Sequence, residues 1–255
     1  MEVTTDSVFV MVTLSSWMVE NGDFKLVNDV SLAKLKTQWK IATACFSEVS
    51  TETIESWWTH IQELHCRMER AYHTLVHLEE LFGYLEILEI DSKHPDFHAL
   101  ALSIFFHDAI YDAKSGTNEE DSATLFREFC SDVGDCRQKI LELKVVDYIL
   151  ATKHHDTNQT DDKTLAMFLD IDMAVLGKNP PAYEAYARLI RQEYNHVNHL
   201  IYCEKRAQVL QTFLESPTIF FTPLLRTALE ETARKNLRDE IEMLKQGIIP
   251  GESIE

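Results

Sequence analysis

Seven glycines and six prolines are spread through 255 residues, and this scarcity of helix breakers constrains the chain more than any other feature. Glycine and proline are what helix interiors reject and what the tight turns of a many-stranded sheet require. A chain so poor in both is expected to fold as long helices. The apolar positions keep that period. Ser31 is placed to cap a helix reaching about Glu48, with Leu32, Leu35, Trp39, Ala42 and Phe46 at helical spacing. Thr51 is placed to cap a second, carrying Ile54, Trp57, Trp58, Ile61, Leu64 and His65. A third is expected from about Ala71 to Ile90 on the stripe Leu75, Leu78, Leu81, Leu85 and Leu88. A fourth opens near Pro95 and runs through Leu100, Ile104 and Phe105 to His107-Asp108. Gly116-Thr117 marks a loop, after which Thr117 or Asn118 starts a helix through Ala123, Phe126 and Phe129. Further helical patterns cover 137–153, 163–176, 180–201 and 203–215, and one follows Pro223 to about Lys245. No repeat or Ser/Pro/Gly-rich linker divides them. The expectation is an all-α chain with one helical domain over 29–247, an N-terminal extension over 1–28 and a tail over 248–255.

Charge narrows the partners. With 24 basic and 42 acidic side chains the formal charge is −18, a surface that repels a nucleic-acid backbone. A small phosphorylated substrate is still compatible, because a bound cation reverses the field inside a pocket. The five cysteines, Cys45, Cys66, Cys130, Cys136 and Cys203, are odd in number and form no CxxC pair. That pattern suits reduced thiols in the cytoplasm. In the extension, the apolar run from Val8 to Leu14 follows Glu2 and Asp6 and is cut by Ser15-Ser16. It has neither the basic start of a secretory signal nor the length of a membrane span, so no membrane partner is expected. The oligomeric state is left open, a homodimer included.

Three segments carry chemistry. In Arg70-Ala-Tyr72-His73-Thr-Leu-Val-His77 the two histidines are four apart, one turn apart on one face if the segment is helical. Phe105-Phe106-His107-Asp108 ends a strongly apolar helix with an adjacent imidazole and carboxylate. Phe168-Leu169-Asp170-Ile171-Asp172 puts two carboxylates in an apolar stretch, where a bare charge is costly unless a cation or hydrogen-bond donors compensate. Taken singly, a histidine pair is compatible with ordinary packing, and an acidic pair with a solvated face. The order of His77, His107-Asp108 and Asp172, each beside an apolar helix, points to a metal site.

That order is similar to the H…HD…D pattern of the HD superfamily of metal-dependent phosphohydrolases. The chain resembles more closely a branch of predicted phosphohydrolases within it. The matching stretches are Arg70-Ala-Tyr72-His73-Thr74-Leu-Val-His77 and His107-Asp108-Ala109-Ile110-Tyr111-Asp112, then Asn118-Glu119-Glu-Asp-Ser122-Ala123. They continue with Thr152-Lys-His154-His155, Leu169-Asp170-Ile-Asp172-Met-Ala-Val-Leu176-Gly177, Ile190-Arg191-Gln-Glu193-Tyr194 and Ala233-Arg234-Lys-Asn236-Leu237. The resemblance covers roughly 50–245 and leaves the first 28 residues outside.

The resemblance implies an HD-type helical domain with additional C-terminal helices, in which His77, His107, Asp108 and Asp172 are metal ligands. Asp170 is the rival of Asp172. The latter is preferred because HD proteins place the ligand aspartate after a small or apolar residue, just before the next helical turn. Asp170 would otherwise orient a ligating imidazole. The Tyr-His-x-x-x-His segment is also similar to that of cyclic-nucleotide phosphodiesterases, whose first histidine protonates the leaving oxygen. Carried over, His73 joins Asp108 and Glu119 as a catalytic residue, its imidazole suited to general-acid work near neutral pH. The other reading of His73 is a backbone hydrogen bond.

Glu119 and Asn118 are candidates to hold the attacking water, with helix capping the competing role for Asn118. Lys153, His154, His155, Arg70 and Arg191 are candidates for phosphate oxygens, although either arginine has many carboxylates with which to pair. Glu193, Tyr194, Arg234 and Asn236 are read as packing residues. His60, His65, His94, His98, His196 and His199 are read as structural or exposed. The expected cofactor is a divalent ion (Mn, Fe, Co, Ni, Zn or Mg), and the expected activity is hydrolysis of a small phosphate ester, a nucleotide among the candidates. Two alternatives stay open: an HD-fold di-iron oxygenase using His154 and His155, and a regulatory module that binds a metal or nucleotide without turnover.

Overall fold

The protein, seen as a computed structural model, is described over residues 29–46, 48–134, 139–155 and 161–251. Over these residues it is all-α, with ten α-helices and no strand. They are α1 (Asp29–Ala42), α2 (Thr51–His65), α3 (Leu75–Ile87), α4 (Phe97–Phe106), α5 (Asn118–Val133), α6 (Lys139–Ala151), α7 (Lys163–Asp172), α8 (Pro180–Glu193), α9 (His199–Glu215) and α10 (Pro223–Lys245). The expected extension over 1–28 and Cys136 lie outside the described residues. The chain forms two compact units, one ending at Leu169 and one beginning at Asp170, where the sequence reads as one domain over 29–247.

Helix boundaries depart from the expected ones where a side chain takes over backbone hydrogen bonding. Helix α1 opens at Asp29, so Ser31 lies buried inside it rather than at its cap. It stops at Ala42 instead of Glu48 and passes into a 3-10 turn over Thr43–Cys45, where Thr43 Oγ1 donates to Trp39 O at 2.8 Å. Ser50, one residue before the expected Thr51, caps α2 by accepting the Thr53 N–H at 3.1 Å. Helix α3 begins at Leu75, not Ala71, because the extended Thr74 caps it and accepts the Val76 N–H at 3.3 Å. The pattern over 180–201 is broken after Glu193, and Asn198 opens α9 by accepting from the Leu200 and Ile201 amides.

In the first unit α4 is the centre. Its sequence, FHALALSIFF, has no polar face, and every residue from Ala99 to Phe106 is at most 2% exposed. A helix apolar all round is stable only when surrounded. Trp39 of α1 meets Phe105 edge-on at 5.2 Å, while Phe106 packs against Phe126 at 4.9 Å and Phe129 at 5.4 Å, both on α5. Burial of each such ring or leucine stabilises the fold by about 1.5–3 kcal/mol. The C-terminal end of α4 is therefore held deep in apolar surroundings, and the His-Asp pair begins there.

In the second unit a 3-10 turn over Met173–Gly177 precedes α8, α9 and α10. Gly177 is required by close approach, since a Cβ there would lie 2.6 Å from Leu229 Cβ. Asn236 Nδ2 donates to Leu176 O at 2.9 Å and to Lys178 O at 2.8 Å, fastening that turn to α10. The buried Glu240 carboxylate is compensated by Arg206 Nε at 2.9 Å and by the Tyr183 hydroxyl. The expected tail is packed where it is described: Ile249 is 2% exposed, and Gly247 O accepts from His199 Nε2 at 2.8 Å. Among the described residues, Cys45, Cys66, Cys130 and Cys203 stand outside any disulfide. No helix among the described residues is long and apolar enough to cross a membrane.

Candidate metal centre

His107 is the residue at which α4 ends, its backbone N–H bonded to Ser103 O. Its Nδ1 lies 3.0 Å from Ile104 O, one of the carbonyls that a helix end leaves without an intrahelical donor. A carbonyl only accepts, so Nδ1 carries the proton and donates, and the Nε2 lone pair points the other way. It points at His77, in the first turn of α3 and 2% exposed, whose Nε2 is 3.3 Å away. Asp108 completes the group: its Oδ2 is 3.0 Å from His107 Nε2 and 3.9 Å from His77 Nε2.

These three atoms suit a cation. A circle through points 3.0, 3.3 and 3.9 Å apart has a radius of about 2.0 Å, the bond length of first-row divalent ions to imidazole nitrogen and carboxylate oxygen. The competing account is a proton on His107 Nε2. One proton satisfies one acceptor at a time, whereas His77 Nε2 and Asp108 Oδ2 both converge on that nitrogen. The mixed N/O donor set is one that Mn, Fe, Co, Ni or Zn accepts. His77 and His107 are among the described side chains whose ligand atoms lie close enough together to hold an ion.

His73 stands at the edge of this group, with Nε2 4.0 Å from Asp108 Oδ2 and a side chain 18% exposed. It lies in the turn before α3 rather than on the helix with His77, so the two imidazoles meet through the Thr74 cap and not through helical spacing. Their ring centroids are 6.0 Å apart. Tyr111 stacks on His73 at 4.1 Å and 29°. Tyr111 follows the His-Asp pair by three residues, but nothing local in the sequence shows that its ring meets His73.

Arg70, expected to meet phosphate, is turned inward and 6% exposed. Its Nη1 donates to His73 O at 2.9 Å and Asp108 O at 2.6 Å, and its Nη2 donates to Ala109 O at 2.7 Å. Behind it His65 Nδ1 lies 3.3 Å from Nη1, and His65 Nε2 lies 3.4 Å from Phe105 O. Burial, aided by the neighbouring guanidinium, holds the His65 imidazole well below its ordinary pKa and therefore neutral. Arg70 supports the backbone of the site.

Asn118, a candidate for the attacking water or for a helix cap, bonds the backbone of Asp112. Its Oδ1 accepts the Asp112 N–H and its Nδ2 donates to Asp112 O, both at 3.0 Å. Ser122, wholly buried, does the same for Ile110, accepting from its N–H at 3.0 Å and donating to its carbonyl at 3.2 Å. The Asn-Glu-x-x-Ser-Ala motif thus clasps the loop that follows the His-Asp pair.

Glu119 is partly exposed in the first turn of α5. Lys153 Nζ lies 2.5 Å from Glu120 Oε1 and 3.9 Å from Glu119 Oε2, and it donates to Gly116 O at 2.8 Å. Those carboxylates raise its pKa. His154 is exposed, and His155 adopts a left-handed backbone at φ 47°.

Three further expected residues, Arg191, Asp170 and Asp172, belong to the second unit. Arg191 Nη1 donates to Tyr194 O at 2.6 Å, and its guanidinium lies over the Tyr202 ring at 4.8 Å. Asp170 is occupied as well. Its carboxylate accepts from Phe221 N–H at 2.8 Å, Thr222 N–H at 2.6 Å and Thr222 Oγ1 at 2.6 Å, just ahead of α10. Burial pushes that carboxyl up to about 6 against the pull of these donors. Asp172 is the last residue of α7 and half-buried. No family model, curated protein or solved structure matches the chain.

Proposed function

We propose that this chain is an HD-type, metal-dependent phosphohydrolase that cleaves a small phosphate ester, with a nucleotide among the candidates. The convergence of His77 Nε2, His107 Nε2 and Asp108 Oδ2 at bonding separation for one cation carries the reading. Asp172 is the proposed fourth ligand. Helix α7 brings Phe168 edge-on against His107 at 5.8 Å, and Asp172 follows one turn later on the same helical face.

A divalent ion held there by His77, His107, Asp108 and Asp172 would supply an activated water and polarise the phosphoryl group. The remaining work belongs to the chain. The Nδ1–H bond to Ile104 O fixes His107 in the tautomer that presents Nε2. His73, beside Asp108 and braced by Tyr111, hands a proton to the leaving oxygen. Glu119 orients the attacking water. A phosphate reaching Lys153 competes with Glu120 for its ammonium, and His154 and His155 supply further donors.

The test is elemental analysis of protein purified without chelators, followed by a phosphoester screen with the metal found. Metal-dependent phosphate release is expected, abolished by His107→Ala and by Asp108→Ala. His73→Gln should keep the metal and lower kcat by roughly 10²–10⁴-fold. Undiminished turnover in either ligand variant rules the assignment out, as does a pair of bound irons with O₂ consumption.

A further inference from the structure

We infer that Arg70 is a positioning residue that fixes the spacing between the proton donor His73 and the His107-Asp108 corner. The inference rests on the metal-site reading above and names what holds that site in register. The His73 and Asp108 carbonyls belong to segments 35 residues apart in sequence, and no helix contains either residue. Main-chain pairing inside an element therefore does not set their separation. One guanidinium does, through three bonds of 2.6–2.9 Å to His73 O, Asp108 O and Ala109 O.

The chemistry favours arginine. Helix α4 ends at Phe106, and the backbone beyond it presents the part-buried Asp108 carbonyl and the buried Ala109 carbonyl at the negative end of the helix. A planar cation with donors in a rigid fork satisfies several of them and fixes their relative directions. An ammonium is a point donor on a flexible stem and cannot define that plane. His65 backs the fork from the far side, kept neutral by burial, so it adds no second positive charge beneath the cation site. Tyr111 lies under the Arg70 guanidinium at 5.6 Å as well as against His73, which ties the proton donor to the same support. Each carbonyl that Arg70 holds is on, or next to, a residue whose side chain reaches the centre. A shift of the guanidinium therefore becomes a shift of Asp108 Oδ2 against His73 and His77.

The test uses the full chain, stripped with a chelator and titrated with Co²⁺ alone, reading both the dissociation constant and the visible absorption of the bound ion. Arg70→Lys keeps the charge and loses the fork. It should retain the helical circular dichroism of the wild type, weaken Co²⁺ binding by roughly 10–100-fold and alter the visible band. A merely structural arginine would lower the unfolding temperature and leave the spectrum of the bound ion unchanged. Wild-type affinity and spectrum in a folded Arg70→Lys overturn the inference and leave the metal-site reading standing. A wild-type chain that takes up no Co²⁺ overturns both. If Arg70→Lys does not fold, His65→Gln removes only the ring behind the fork. It should change the Co²⁺ spectrum in the same sense, and an unchanged spectrum there overturns the inference.

Discussion

Asp170 and Asp172 stand two residues apart on α7, so their side chains leave the helix on nearly opposite faces. Asp170 is fully engaged by donors at the start of α10. Replacing it with alanine leaves the Phe221 and Thr222 amides without their acceptor and should lower stability by about 1–3 kcal/mol, read by denaturant unfolding, with metal content unchanged. Asp172→Ala should give the reverse, lost metal with little loss of stability in the chelated protein. The pattern of this exchange was only half legible in the sequence. The order of His77, His107-Asp108 and Asp172 carries the donor types and the alternation of faces along α7. The partner that engages Asp170 lies some fifty residues downstream at Phe221-Thr222, and no local pattern points there. The backbone partners of Arg70 and Asn118 are hidden from the sequence for the same reason. Their residue types suit phosphate or water, but they bond the carbonyls of His73, Asp108 and Ala109 and both main-chain groups of Asp112, and backbone groups are ones that every sequence contains and none displays.

At the scale of elements, the apolar stripes identified nearly all the helices, and the side chains that cap them set the ends. The stripe from Leu75 to Leu88 was visible. That Thr74 would stop it from extending back to Ala71 was not, because an extended threonine cap and a helical threonine look alike in sequence. The cap matters here, because it releases His73 from the helix and lets Arg70 take its carbonyl. Thr74→Ala removes the acceptor for the Val76 N–H and should cost about 0.5–2 kcal/mol of stability. It should also lower turnover more than metal affinity, since His77 remains on α3 while the His73 turn loosens. Stability curves and metal titrations on the same variant separate the two effects. Helix α4 was the plainest element to read, because a ten-residue run without a polar face has no stable place except the middle of a core.

At the scale of the whole molecule, the scarcity of glycine and proline translated directly into an all-α fold over the described residues. The division into two compact units at Leu169 and Asp170 did not show, since it falls inside a helix and no linker marks it. The global response to pH follows from a group buried in the first unit. His65 is neutral when folded, with a pKa well below the ordinary 6.5, whereas the unfolded chain protonates it at that ordinary value. The unfolded state therefore binds the extra proton, and stability is lost as pH falls below about 6.5. In chelated protein at high salt, which screens the self-repulsion of a strongly acidic surface, the unfolding temperature should decline over that range. His65→Gln should flatten the decline.

The clasp on the loop after the His-Asp pair has a consequence of its own. Ile110 is fastened to Ser122 and Asp112 to Asn118, each through both its amide and its carbonyl. The chain has thus met the entropic cost of ordering this loop during folding, before any cation arrives. Were the proposed centre to take up an ion, uptake would be docking onto a finished seat, with no further ordering of this loop to oppose it.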